Sequence, residues 1–286
     1  MRRQIARFRP LWFAAIPVLI ALNETMLAVG GTAAPGWLVF GLAAVLVVLI
    51  FVRPPVVHRE PVEVAAPVNG RWVSLNSPGS KVPSHGTRAY GQSHAVDILH
   101  PSDADSPPMA RRGLLPNRPE DYSCFGEPVL AVAPGVVTRA TDWQRDHRAR
   151  NTWPAAIFML VLEGLLRSFG GFPLIAGNHV VITHDDGTAS VYAHLKHRSV
   201  LVTPGQRVTE RQHIAHVGNT GNSSEPHLHV QLADRPEPGA SVGLPMLWRG
   251  LEVEAAPDPR LAPYTKPPAA TAIAGFPANA RVFRCT

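Results

Sequence analysis

Two runs rich in strand-forming residues, Asn178-His179-Val180-Val181-Ile182-Thr183-His184 and Ala189-Ser190-Val191-Tyr192-Ala193-His194-Leu195, stand on either side of Asp186-Gly187. Asp-Gly accepts the positive φ angles of a tight turn, so this spacing predicts an antiparallel hairpin. The centre of the chain is thereby committed to β structure. Proline cannot donate to a strand ladder, and most of the 29 prolines lie before Glu127 or after Asp234. Regular structure is therefore expected mainly between those points. Further short strands are expected at Trp72-Val73, Ser93 to Leu99, Glu127 to Val137 with a turn at Pro134-Gly135, Val200 to Val202, and Ile214 to Val217. With 286 residues, 45% of them hydrophobic, the chain can bury a substantial core.

The stretch Gly218 to Leu232 (GNTGNSSEPHLHVQL) holds the chemistry. On a strand, His227 and His229 point to one face and Leu228 to the other. One imidazole can bind a metal while the other handles protons, and strand geometry alone leaves open which does which. Asp97, on an early strand, and His194, near the end of the hairpin, complete a four-residue set. A hydrolytic zinc site takes three protein ligands and keeps one position open, so a further ligand is required. His94 lies three residues before Asp97, which on a regular strand puts it on the opposite face; a bulge could bring it round. His85, on the preceding loop, carries no such penalty and is preferred, with His94 as the alternative. The same-face position four residues before Asp97 is Ser93. His100, His179, His184, His197, His213 and His216 are read as structural or surface residues.

Residues 1–52 read as a membrane anchor. Arg2, Arg3, Arg7 and Arg9 precede an apolar segment from Leu11 to Val29, and a second runs from Trp37 to Val52. Two apolar stretches in tandem predict a transmembrane helical hairpin. Arginines flank its outer ends and none lies between Asn23 and Gly36, which by the positive-inside rule places both ends in the cytoplasm. Residues 53–67 read as a stiff Pro-rich linker and 68–250 as the main domain. Within it, residues 141–176 form a long insertion whose apolar part, Pro154 to Phe169, predicts a core helix; a membrane-resting helix or a lid is the alternative. Residues 251–286, rich in Pro and Ala, are expected to be a flexible tail. Cys124 and Cys285 form no metal-binding spacing and could pair or stay free. The net charge of +6 suits phospholipid headgroups or anionic wall polymers; with no basic run interleaved with aromatics, nucleic acid is not an expected partner.

Several segments together are similar to a known family. They are Gly126-Glu127-Pro128-Val129 with Gly135-Val136-Val137, Gly177 to His184, Tyr192-Ala193-His194-Leu195, Pro204-Gly205-Gln206-Arg207-Val208, and Gly218 to His229. From about Pro67 to Asp234 the chain resembles the lysostaphin-type, LytM-like zinc metallopeptidases, which are peptidoglycan endopeptidases. The resemblance implies an all-β, antiparallel β-sandwich-like (duplicated hybrid motif) peptidase domain, here with a long helical insertion and the N-terminal hairpin. It implies Zn2+ as cofactor, Asp97 and His229 as ligands, and His194 and His227 as the catalytic pair. The family's first ligand falls where this chain has Ser93. The function implied is a membrane-anchored endopeptidase hydrolysing peptide bonds of peptidoglycan, with its domain outside the cytoplasm, a location at odds with the arginine placement. The alternative is a degenerate domain that binds wall or activates a partner hydrolase or division protein.

Overall fold

The computed structural model describes residues 1–285. Helices come first: α1 (Arg2–Arg7), α2 (Arg9–Ala28) and α3 (Gly36–Phe51). α2 is predominantly apolar and has no buried residue. α3 packs against it.

Among the described residues fourteen strands follow: β1 (Val62–Val64), β2 (Gly70–Leu75), β3 (Val96–Leu99), β4 (Pro128–Leu130), β5 (Gly135–Thr141), β6 (Asn178–His184), β7 (Ala189–Leu195), β8 (Arg207–Val208), β9 (His213–His216), β10 (Leu228–Ala233), β11 (Gly243–Leu244), β12 (Met246–Trp248), β13 (Leu251–Pro257) and β14 (Arg281–Cys285). The main sheet runs β13-β14-β2-β3-β10-β7-β6-β5-β8, with β11 also on β10. Each of its pairings is antiparallel. β4 pairs with β9, and β1 lies parallel to β12. The Asp186-Gly187 turn joins β6 to β7 as expected, pairing Val180 with Tyr192 and Ile182 with Ser190.

β10 sits mid-sheet between β3 and β7, and its alternation sorts core from chemistry. Leu228, Val230 and Leu232 enter the main hydrophobic cluster with Trp72, Ile98 and Phe283. His229 and Gln231 face the other way. Burying a side chain such as Leu228, which is fully shielded, contributes roughly 1.5–3 kcal/mol. The face that carries His229 and Gln231 is thus backed by the core.

Three expectations are corrected. Residues 251–285 are not a loose tail, because β14 pairs with β2 and Phe283 and Cys285 are buried. Phe283 and Cys285, buried on either side of exposed Arg284, supply a strand that composition alone concealed among prolines. The apolar part of the insertion is a helix, α4 (Trp153–Gly170), with a π-helical segment at Phe158–Glu163. It is not a core helix: Leu160 is 75% exposed and Val161 68%. Val200 to Val202 makes no strand. A short helix, α5 (Phe172–Ala176), returns the chain to β6. Cys124 and Cys285 are both free and buried.

Candidate metal centre and catalytic groove

Asp97 and His229 are register partners in the β3–β10 ladder. Their side chains meet on the face away from the core, His229 Nδ1 lying 2.9 Å from Asp97 Oδ1. The other nitrogen, Nε2, is 3.1 Å from Gln231 Oε1. An amide oxygen only accepts, so Nε2–H donates to Gln231, and Nδ1 is the nitrogen that would turn to an ion held together with Asp97. Gln231 is held in turn by its own Nε2–H donating to Tyr90 O at 2.8 Å.

His85 comes in from the loop between β2 and β3, with Nε2 3.1 Å from both Asp97 oxygens. Ser84 Oγ stands 3.1 Å from its Nδ1, and Asn76 donates to Asp97 Oδ2 at 2.8 Å. One ligand atom from each of His85, Asp97 and His229 lies within 4.8 Å of the others. Two imidazole nitrogens and one carboxylate oxygen make a donor set that suits zinc with a position left open. His94 does not join them. It and Ser93 end a 3-10 turn, Ala89–His94, rather than starting the strand, and His94 Nδ1 is 3.0 Å from Gly243 O. Strand arithmetic about position 93 fails because the strand begins only at Val96.

Two further imidazoles flank this trio. His194, at the end of β7, has φ of +61°, a left-handed conformation uncommon for a residue with a Cβ and concentrated at functional sites. Its Nδ1–H donates to Thr220 O at 2.8 Å, leaving Nε2 free. The loop that supplies Thr220 is pressed against Gly177, where an added Cβ would collide with Thr220 and Gly221. That close approach explains glycine at 177 and at 221, both with positive φ. His227 Nδ1–H donates to Glu225 O at 2.7 Å, and its Nε2 points at Asp97 Oδ1 from 3.5 Å. The His194 and His227 ring centroids are 4.8 Å apart.

The electrostatics follow from burial and from which charges meet. Burial opposes a charge on Asp97, but the His85, His227 and His229 imidazoles outweigh it and hold the carboxyl well below its ordinary value. For His194 burial and then the neighbouring imidazoles act together, and its proton affinity falls well below normal. Burial also lowers His229. His227 moves the other way, since Asp97 more than offsets its burial and raises it. The two flanking imidazoles therefore favour opposite protonation states.

These residues line a groove of about 450 Å³. Its other wall comes largely from the insertion, in keeping with the lid alternative for that segment. It is formed by Met159, Gly164 and Ser168 of α4, Phe172 and Ile175 of α5, and Arg9 at the start of α2. Gln231 was findable, since it extends the His227, His229 alternation by one more step. Asn76 and Arg9 gave no signal, being positioned only by the tertiary fold.

A buried carboxylate ringed by imidazoles, with an open groove above, is an arrangement suited to hydrolysis assisted by a metal. Residues 161–239, which contain His194, His227 and His229, match the model of peptidase family M23. The lysostaphin-type, LytM-like resemblance accordingly holds, and this region is of peptidase type. Among curated relatives, the peptidoglycan DD-endopeptidase ShyA of Vibrio cholerae is 44% identical over 63 residues, which are 22% of this chain and 14% of that protein. The chain thus spans only a small part of the relatives it matches. Among solved structures, a zinc-containing peptidase from Vibrio cholerae has 22% identity and a TM-score of 0.30, covering 66% of this chain and 39% of that one. The catalytic domain of lysostaphin from Staphylococcus simulans has 19% identity and a TM-score of 0.32, covering 58% and 84%.

Proposed function

We propose that the chain is a membrane-anchored, zinc-dependent endopeptidase that hydrolyses peptide bonds of peptidoglycan. The observation that carries this reading is the convergence of His85, Asp97 and His229 within 4.8 Å, with His194 and His227 beside them. His85, Asp97 and His229 would hold the ion, which supplies Lewis acidity toward the scissile carbonyl and the attacking water. His194, kept neutral with Nε2 unencumbered, takes the proton of that water. His227, whose proton is favoured by Asp97, donates a hydrogen bond to the oxyanion that develops on the carbonyl oxygen. Asn76 and Gln231 hold the carboxylate and the imidazole in place. The groove gives an extended peptide room to lie across these groups.

The anchor is α2 with α3. α2 is long and apolar enough to cross a bilayer, whereas α3, with 16 residues, rises only ~24 Å and would sit in a locally thinned layer. Arg3 pairs with Asp234 at 2.7 Å, and Val57, soon after α3, packs on the domain core. Both ends of the hairpin therefore lie on the domain's side, which supports two crossings over one. The peptidase domain is assigned to the outer face because its substrate is there, against the arginine placement.

Zinc analysis of the purified full chain, combined with digestion of cross-linked muropeptides, tests the enzyme. One zinc per chain and new amino termini at peptide bonds are expected. A chain that binds zinc but leaves every muropeptide intact would instead be a domain that binds wall or activates a partner hydrolase.

A further inference from the structure

The apolar face of α4 covers nothing in the domain, yet both ends of the helix are tied down. Thr152, just before it, is buried and bridges to Arg111. Phe172, just after it, packs edge-on against His179 with centroids 5.0 Å apart. A helix that crosses a bilayer leaves its two ends on opposite sides of a layer ~30 Å thick. α4 starts and finishes on one body, so it lies along a surface instead.

Its two faces differ. Inward, Glu163 is buried and clamped by Arg150 at 3.0 Å and Arg167 at 2.7 Å, while Gly164 and Ser168 wall the catalytic groove. Outward, Trp153, Ile157, Leu160 and Val161 are each more than half exposed. So large a contiguous apolar face marks an interaction surface.

Two neighbours say what it meets. Phe13 of α2 stacks edge-on against Phe169 at 5.9 Å, so the face continues directly into the apolar surface of the hairpin. At the other end, the Arg111 N–H donates to Asn151 O and brings the loop Arg111-Arg112-Gly113-Leu114-Leu115 alongside. Leu114 is 83% exposed and Leu115 65%, and among the described residues neither arginine of this loop forms an ion pair. Unpaired cations next to exposed leucines and a tryptophan match anionic headgroups above acyl chains.

We propose that α4 and the Arg111–Leu115 loop rest in the interface of the bilayer that α2 and α3 enter, so that the catalytic groove opens at headgroup level. The inference rests on the anchor reading above. α4 then serves as groove wall on one side and lipid contact on the other, and the peptides cut are those held within reach of the membrane surface.

The test places an environment-sensitive nitrobenzoxadiazole label on the full chain in vesicles of phosphatidylethanolamine and phosphatidylglycerol. Cys124 and Cys285 are buried, with thiols pushed up to about 12 and about 11 by that burial, so they stay unlabelled. Single cysteines are introduced as Leu160→Cys on α4, Leu114→Cys in the loop, Leu42→Cys on α3, and Val253→Cys on the solvent-exposed β13. Blue-shifted emission and strong quenching by spin-labelled lipid at 160, 114 and 42, with water-like emission at 253, is the expected pattern. Quenching at 42 with water-like emission at 160 overturns the inference and leaves the anchor standing. Water-like emission at 42 as well overturns both. Shielding at 160 that depends on protein density and resists lipid quenchers assigns the face to a second copy of the chain, and also overturns the inference.

Discussion

His229 and Asp97 face each other across the β3–β10 ladder, Nδ1 to Oδ1 at 2.9 Å, while His227, two residues earlier, reaches the same carboxylate only at 3.5 Å. The difference separates their roles. His229→Ala should abolish stoichiometric zinc, whereas His227→Ala should keep zinc and lower turnover by ~10²–10⁴-fold, the usual worth of a proton-handling group. Metal content by mass spectrometry and muropeptide cleavage rates read the two effects separately. Equal zinc loss in both variants would reverse the assignment.

Gln231 acts through His229. Its Oε1 accepts a hydrogen bond from Nε2–H and so leaves Nδ1 as the nitrogen that would meet the ion. Gln231→Leu removes that acceptor and also deprives Tyr90 O of its donor. Zinc affinity should fall ~10–100-fold, as is typical when a ligand's outer partner is lost. A competitive chelator titration measures it, and Gln231→Glu, which retains the acceptor, should restore most of the affinity.

How much of this was legible depended on whether local pattern or tertiary contact decided the outcome. The β6–β7 hairpin and the sorting of Leu228 from His227 and His229 follow from turn chemistry and strand alternation, and both stood in the sequence. His85 was preferred over His94 because a loop can deliver a side chain that a regular strand cannot. Ser93 falls outside the strand, which begins at Val96, so strand alternation does not reach it. An apolar run of α4's length has the same composition whether it is buried in a core or lies on the surface. The exposure of Leu160 and Val161 places it on the surface. Arg9 reaches the groove from the far end of the chain, where no local rule points.

Glu163 makes the docking of α4 depend on pH. Burial opposes its charge, but hydrogen bonds from Arg150 and Arg167 outweigh that and hold its carboxyl below the ordinary 4.5. A depressed carboxylate stabilises the folded state above its unfolded pKa, and that contribution is lost as pH falls through the folded value. Protection of α4 amides from hydrogen exchange should therefore be constant from pH 7 to about 5 and drop below about pH 4. Glu163→Gln should show weaker protection throughout and no such drop. A drop that persists in this variant would move the effect to another group.

The last strand makes the C-terminal region indispensable. Phe283 is fully buried in the main cluster beside Trp248, with ring centroids 5.5 Å apart, and β14 bridges β13 to β2. Upstream of it, the Arg260 guanidinium pairs with the Glu225 carboxylate, in the turn whose carbonyl orients His227. A loose tail could be removed without cost, but Phe283→Ala should destabilise the domain by ~3–5 kcal/mol, as for other buried aromatic truncations. Denaturant unfolding followed by tryptophan fluorescence measures that loss. Arg260→Ala separates support of the site from support of the fold. It should lower turnover more than it lowers the unfolding midpoint, because the pair it breaks holds the His227 turn rather than the core.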